Sequence, residues 1–330
     1  MALSEPAGPR WPDVAAGRAH YESYYLRAVE PTGRRGVWIR YTVSLRPGGP
    51  PDGQLWVTFF DRSAASPRAL RVDAGPPTTD RGAWIRLGSS RFGPSGVDGA
   101  ARSSECSVSW SLRCRDGEPA LEHLPRGWMY RARLPRTKLL SLSPSALFDG
   151  TLEIDGETIS VVGWRGMVGH NWGEQHAAEW IWLHGLGFDG AAPGTWLDLA
   201  VGRVRLGPVV TPWIANGAVS LGGERIPLGG LGRRVSVDPA ADRCHLRIPG
   251  AGVTVSAAVS APSEAFVEWD YADPDAADPD AADPDAGHAA HRVRNCSVAD
   301  LTLTVARRGA APVELRSPGQ AAYEWGRAAS

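Results

Sequence analysis

One stretch concentrates the groups that could do chemistry: W-R-G-M-V-G-H-N-W-G-E-Q-H-A-A-E-W-I-W-L-H, residues 164–184. It carries His170, His176 and His184, the indoles of Trp164, Trp172, Trp180 and Trp182, and the carboxylates of Glu174 and Glu179. Groups with tunable protonation among large apolar rings suit acid–base chemistry on a hydrophobic substrate. Downstream, T-W-L-D-L-A-V adds Trp196 and Asp198. If Glu179–His184 is a strand, alternation puts Trp180, Trp182 and His184 on one face; in Thr195–Val201 it groups Trp196 with Asp198. If the two pair with their indole faces together, Asp198 is desolvated, its pKa is raised, and it holds a proton near neutral pH. Indole faces beside it stabilise positive charge on a carbon skeleton. Protonating an alkene, with hydration or cyclisation to follow, requires such a proton source in a water-poor, π-lined cavity.

Each residue also has a simpler use. Asp198 suits a solvated outward face, the commoner place for a lone strand Asp. His170 and Asn171 suit a tight turn before Gly173. His176 and His184 suit core or rim positions, and for His184 that reading is favoured. His170, Glu174 and His176 carry the donor atoms of a zinc site, as a metal-dependent hydrolase would need. Their spacing matches no H-E-x-x-H helix, however, and a strand sends some of them to opposite faces. With no Gly-rich phosphate loop, no G-x-G-x-x-G and no G-x-S-x-G elbow, nucleotide and serine-hydrolase chemistry fall away. No cofactor and no metal are expected.

The elements that must position these groups are strands. In Gly36–Arg46, Val37, Ile39, Tyr41, Val43 and Leu45 alternate with Trp38, Arg40, Thr42, Ser44 and Arg46. That is the period of a half-buried strand. Glu22–Val29, Gly53–Asp61, Ser104–Cys114, Trp180–Phe188, Thr195–Leu206, Gly217–Leu221, Arg243–Ile248, Val253–Val259, Ala265–Tyr271 and Val298–Val305 continue the series. Thr151–Val162 reads as a hairpin turning at Asp155-Gly156. Gln320–Trp325 reads as a closing strand that bonds back to an early one. Amphipathic helices are scarce, so the fold class is all-β: two tandem barrels or sandwiches, residues 1–185 and 186–330. Between Ala272 and Ala286 the chain repeats Ala-Asp-Pro-Asp-Ala three times. The spacing fits no calcium loop, and a disordered loop at 272–287 is expected, dispensable for folding and activity.

Composition narrows the partners. Among 330 residues, 35 Lys+Arg against 36 Asp+Glu give a net charge of -1, which argues against nucleic-acid and anionic-membrane proteins alike. Contact with a membrane surface stays open only as a peripheral one. Lys138 is the single lysine, so Schiff-base chemistry rests on that residue or on none. The 14 Trp point to a ligand cavity as well as to core filling. No apolar run reaches membrane-spanning length and no signal peptide opens the chain. Cys106, Cys114, Cys244 and Cys296 lack C-x-x-C spacing, and a cytoplasmic protein with reduced thiols is expected. Neither the substrate nor the oligomeric state is legible.

The chain resembles the hydroxyneurosporene synthase (carotenoid 1,2-hydratase) and AttH-like superfamily, with its lipocalin-like cyclase relatives. Trp164, Gly166, the block Gly169-His170-Asn171-Trp172-Gly173, Trp180-Ile181-Trp182 and Trp196–Asp198 carry the resemblance. Glu22–Ala28, G-V-W-I-R-Y-T and Ala299–Leu303 add to it, and H-N-W-G is its specific core. The resemblance implies two lipocalin-like (calycin) β-barrels, a ligand cavity in or between them, and cofactor-free chemistry on isoprenoid, polyene or lipid-like molecules. It also implies that His170 and Trp172 match the motif His and Trp, and Asp198 the downstream acid. Where an aromatic, often Tyr, precedes that acid by two positions, this chain has Trp196. The expected enzyme is therefore a hydratase or cyclase on an isoprenoid-like or polyketide-like substrate, with Asp198 as general acid and His170 positioning it or activating water. Trp164, Trp172, Trp180, Trp182, Trp196, Asn171, His184, Glu174 and His176 are expected around the substrate. The rival expectation is a lipocalin-like carrier that binds such a molecule without chemistry.

Overall fold

The computed structural model describes residues 7–272 and 290–328. The Asp-Pro repeat expected as a disordered loop lies outside the described residues beyond Ala272. Among them the only helical segments are three short 3-10 turns, Trp11–Asp13, Gly127–Tyr130 and Ser263–Ala265. All else that is regular is strand. The alternating apolar residues demand this, because each half-buried strand buries one face and must pair along its edges.

Two large antiparallel sheets result, each curled into a nearly closed, lipocalin-like barrel, and a two-stranded hairpin pairs Arg205–Leu206 with Val209–Val210. The first has 12 strands between His20 and Gly173; the second has 10 between Glu179 and Ala328. Strand Glu179–Gly185, grouped with the first unit in the sequence reading, pairs in the second sheet. The 18-residue strand Thr137–Ile154 and the 17-residue strand Glu157–Gly173 form the spine of the first. They turn at Asp155 and Gly156, whose φ angles of 50° and 88° make the left-handed turn that suits a tight hairpin. In the second sheet, Val313–Ala328 pairs with Glu179–Gly185 and with Ala290–Arg307, so the last strand returns to the first of its sheet. The bridge between Leu228 and Gly250 draws that sheet's two ends together.

Each barrel has its own core. Tyr24, Ile39, Tyr41, Leu140, Trp164 and Trp172 fill the first. Ile181, Leu183, Leu197, Leu199 and Val201 belong to the second. The cysteines are free thiols, three of them buried as apolar filler. The strands that carry the chemistry-bearing stretch are central in their sheets. Glu157–Gly173 runs between His20–Val29 and Thr137–Ile154; Glu179–Gly185 runs between Trp196–Arg203 and Val313–Ala328. Their outward faces are what the two barrels press together.

Candidate active site

Strand register decides which residues meet. In the first sheet His170 pairs with Tyr24 and Leu140, while Gly169 pairs with Tyr25 and Ser141. Side chains alternate, so His170, Trp172 and Glu22 point into the first barrel, and Gly169, Asn171, Tyr25 and Ser141 point out of it. In the second sheet His184 pairs with Asp198 and Ala322, and Trp182 pairs with Ala200 and Glu324. Ile181, Leu183 and Leu199 fill that barrel, so Trp180, Trp182, His184 and Asp198 look outward, toward the first sheet.

Between these outward faces lies a cavity of about 240 Å³. Tyr21, Tyr25, Arg40, His123, Asn171 and Tyr271 line it together with Trp180, Trp182 and Glu324. Two glycines make the wall possible. A Cβ at Gly169 would fall 2.2 Å from the Tyr25 ring, and one at Gly326 would fall 2.1 Å from the Trp180 indole. Both aromatic rings therefore lie flat on backbone that must be bare. Trp182 meets Tyr25 edge-on, with centroids 5.7 Å apart. His176 stacks on Tyr21 at 4.2 Å. Arg40 sits 4.4 Å over the Tyr271 ring, a cation on a π face.

Asp198 stands behind this wall, fully buried. Its Oδ2 accepts from the Ser141 hydroxyl at 2.5 Å, and its Oδ1 from the Trp182 indole N–H at 3.1 Å. His123 Nε2 lies 3.0 Å from the Ser141 oxygen and 3.6 Å from Asp198 Oδ2. A hydroxyl has one proton, and an ionised carboxylate only accepts. Ser141 therefore donates to Asp198, and His123 Nε2–H donates to Ser141. The other nitrogen, Nδ1, is 3.4 Å from the Asn216 carbonyl, so a ring protonated on both nitrogens meets an acceptor at each. The result is a buried proton relay, His123 to Ser141 to Asp198, whose outer member borders the cavity.

The expected protonation of Asp198 is reversed. Burial pushes its carboxyl up, but the charge and hydrogen bond of His123, with help from His184 and Ser141, bring it below the ordinary carboxylate range. Asp198 is thus an anion, and any mobile proton resides on a partner. The reason is that its surroundings are polar: one indole N–H, one hydroxyl and two imidazoles, where a wall of indoles was expected. Burial also takes His184 down to about 4, leaving a neutral ring. Its Nε2–H donates to the Pro144 carbonyl at 2.8 Å, and its Nδ1 accepts from the Arg27 guanidinium at 2.8 Å. Arg27 donates further to the Ser297 and Gln320 carbonyls, tying the first sheet to the second. Burial takes that guanidinium to about 9.

The remaining predicted residues divide by face. Asn171, His176, Trp180 and Trp182 line the cavity. His170 does not face Asp198: it is stacked between Tyr24 and Trp172, inside the first barrel, and its Nε2–H donates to Glu22 at 2.8 Å. Glu22 also accepts from the backbone N–H groups of Arg10 and Trp11, which fastens the N-terminal 3-10 turn to the barrel. Trp164 and Trp172 are core of that barrel. Trp196 is buried between the barrels with Leu186, Ala218 and half-buried Leu121, off the cavity. Glu174 pairs with Arg18. The candidate zinc ligands are thereby dispersed, and among the described residues no cluster of His, Cys, Asp and Glu could hold a metal. Lys138 is buried on the Trp172 face, where desolvation lowers its amine to about 8.

Sequence reasoning missed His123, Ser141, Tyr25, Arg40, Tyr271 and Glu324. Glu324 lines the wall, its Oε1 accepting from Trp180 Nε1–H and its Oε2 from Asn295 Nδ2–H. Tyr25 and Arg40 follow from period-two alternation once their strands are known to face the second barrel. His123 carries no such signal, because it lies just past the two-residue strand Leu121–Glu122.

No protein-family model matches the chain. An uncharacterised protein of Mycobacterium tuberculosis, present in two strains, is 29% identical over 283 residues, 81% of this chain and 78% of the relative. Among solved structures, kievitone hydratase from Nectria haematococca is similar, with a TM-score of 0.56 at 10% identity over 100% of this chain and 93% of that one. An AttH-like protein from Nitrosomonas europaea gives a TM-score of 0.51 at 13% identity over 99% and 96%. At these identities the likeness is one of fold, and the two-barrel, lipocalin-like architecture is shared along the whole chain.

Proposed function

We propose that this chain is a cofactor-independent, hydratase- or cyclase-type enzyme of the cytoplasm, acting on a small hydrophobic molecule held between its two barrels. The observation that carries the reading is the buried relay of His123, Ser141 and Asp198 against an aromatic-lined cavity. The Asp198 carboxylate balances the charge of a protonated His123, which serves as the cavity's acid. His123 gives its Nδ1 proton, which meets the Asn216 carbonyl of the cavity lining only at 3.4 Å, to one carbon of a double bond, while Nε2–H stays on Ser141. The π faces of Trp180 and Trp182 stabilise the cation that forms on the other carbon. Water then adds to that carbon and returns a proton to His123, which restores the relay; an internal nucleophile in place of water closes a ring instead. The Tyr25 hydroxyl, which burial and the nearby carboxylates of Asp198 and Glu324 keep protonated, is a donor that orients the water or a substrate oxygen. Asn171 accepts from Ser23 through its amide oxygen, leaving its N–H₂ for the same task.

The similarity to a hydratase structure supports this class of reaction. The resemblance in H-N-W-G to carotenoid 1,2-hydratases favours an isoprenoid or polyene substrate, with a polyketide-like one as the alternative. The test is conversion of a hydrophobic extract in ¹⁸O-labelled water, followed by mass spectrometry. Wild-type protein is expected to produce a species gained by addition of labelled water, and Asp198→Asn and His123→Asn to produce roughly a hundredth as much or less. A bound hydrophobic molecule that survives incubation unchanged, with equal affinity for wild type and Asp198→Asn, would establish the carrier reading instead.

A further inference from the structure

The cavity opens among three segments with a common and unusual character. Residues 122–137 supply Leu124, Pro125, Met129 and Pro135 to its lining; residues 203–214 supply Val204 and Ile214; the third segment supplies Leu231. The same segments hold five of the seven large apolar side chains that stand exposed among the described residues. These are Trp128 at 65%, Leu134 at 54%, Leu206 at 52%, Val209 at 62% and Leu231 at 64%. Apolar exposure is thus gathered at the mouth.

Charge is gathered there too. Between Glu122 and Asp149 the chain has no acidic residue but carries the exposed Arg126, Arg131, Arg133 and Arg136, Lys138 being buried inside the first barrel. Between Asp198 and Glu224 it has only Arg203, paired with Glu179, and the exposed Arg205, and Leu231 is followed by Arg233 and Arg234. Many arginines elsewhere on the surface are matched with carboxylates, as in Arg62 with Asp300, Arg68 with Asp155 and Arg86 with Asp80, whereas those unmatched among the described residues, such as Arg46, Arg81 and Arg308, are scattered along the chain. The exposed guanidinium groups of Arg126, Arg131, Arg133, Arg205 and Arg234 have no carboxylate partner among the described residues. The net charge of -1 is an average that conceals a rim in which exposed arginines outnumber carboxylates, Glu122 being the one acid within its three segments.

We propose that this rim docks on an anionic lipid bilayer, with the cavity mouth facing the membrane. Trp128, Leu134, Leu206, Val209 and Leu231 enter the boundary between headgroups and acyl chains, where an indole is at home. The arginines of the rim contact lipid phosphates. The apolar points sit on three segments that line the cavity: Trp128 on a 3-10 turn with Leu134 beyond it, Leu206 paired with Val209 in a two-stranded hairpin, and Leu231 by itself. Such an arrangement suits a fluid, deformable partner better than the continuous patch of a protein interface. Charge complementarity identifies the lipid as anionic, and docking places an apolar cavity next to the phase in which apolar molecules are stored. This holds whether the cavity catalyses or only carries.

Vesicle flotation of the full chain tests it, using phosphatidylcholine vesicles with and without phosphatidylglycerol at low and high salt. Wild type is expected to float with the anionic vesicles, at least tenfold less with the neutral ones, and less as salt rises. Trp128→Ser with Leu134→Ser, and separately Arg126→Glu with Arg131→Glu and Arg133→Glu, are each expected to weaken flotation tenfold or more. All five sites are exposed, so circular dichroism and the melting temperature are expected to stay at wild-type values. A control of equal charge change away from the mouth, Arg46→Glu with Arg81→Glu and Arg308→Glu, is expected to keep most of the binding. Absence of wild-type flotation, or equal loss in the control and the rim variants, would overturn the proposal. So would full binding retained by both rim variants, as would rim-dependent binding to an acidic protein in the absence of any to vesicles.

Discussion

Glu22 illustrates how a single buried charge organises its surroundings. Burial raises a carboxyl, yet hydrogen bonds from His170 and His20 outweigh it and hold Glu22 down to about 2. A group whose folded pKa lies below its ordinary 4.5 adds stability that is complete above that value and fades as the pH falls toward 2. Burial holds the His170 ring below its ordinary value, so at neutral pH it serves Glu22 as a hydrogen-bond donor and not as a full charge. Urea denaturation of wild type and Glu22→Gln should therefore differ most at pH 6 and converge near pH 2 to 3. A gap independent of pH would refute the assignment. Asp198 is the second such residue, and its partners explain why it is a base at rest although the sequence suggested an acid. A strand residue's face is legible from alternation, but the hydroxyl and imidazole opposite it come from another sheet.

At the scale of strands, the H-N-W-G block is a device for serving two faces at once. His170 and Trp172 support the first barrel, while Gly169 and Asn171 form part of the cavity wall. Gly169 is bare because the Tyr25 ring occupies the space of its Cβ. Gly169→Ala is expected to cost about 1–3 kcal/mol by overpacking. In a Tyr25→Ala background the same change should cost less than about 1 kcal/mol, because the two sites are directly coupled. Additive costs in that double-mutant cycle would show that the ring is not the obstacle.

At the scale of the molecule, the two barrels are joined through buried polar groups as well as apolar contact. Arg27 reaches from the first sheet to His184, Ser297 and Gln320 of the second, and Ser141 reaches Asp198. Removing one member of a buried charged network leaves the others without compensation. Arg27→Ala is thus expected to destabilise the protein by about 3–5 kcal/mol in chemical denaturation. A loss under about 1 kcal/mol would mean that the barrels are held by apolar packing alone. The site exists only in the assembled pair, since the cavity takes His123, Tyr25 and Asn171 from one barrel and Trp180, Trp182 and Glu324 from the other.

The sequence by itself determined the all-β class, many of the strands and the shared face of Trp182 and His184 toward Asp198, because period two is a local property that needs no knowledge of partners. The short strands between Arg68 and Arg102 and most of the long spine Thr137–Gly173 lay outside that reading. It also marked residues 164–184 as central, and they supply the middle strands of both sheets. Alternation even contained the fact that His170 and Asn171 point opposite ways. Which of those directions is a barrel's interior and which the cavity was decided only when two sheets, far apart in sequence, closed and met. His123, Ser141 and Glu324 were out of reach for the same reason: a lone histidine after a two-residue strand acquires a role from what it touches, and everything it touches is brought there by the tertiary fold.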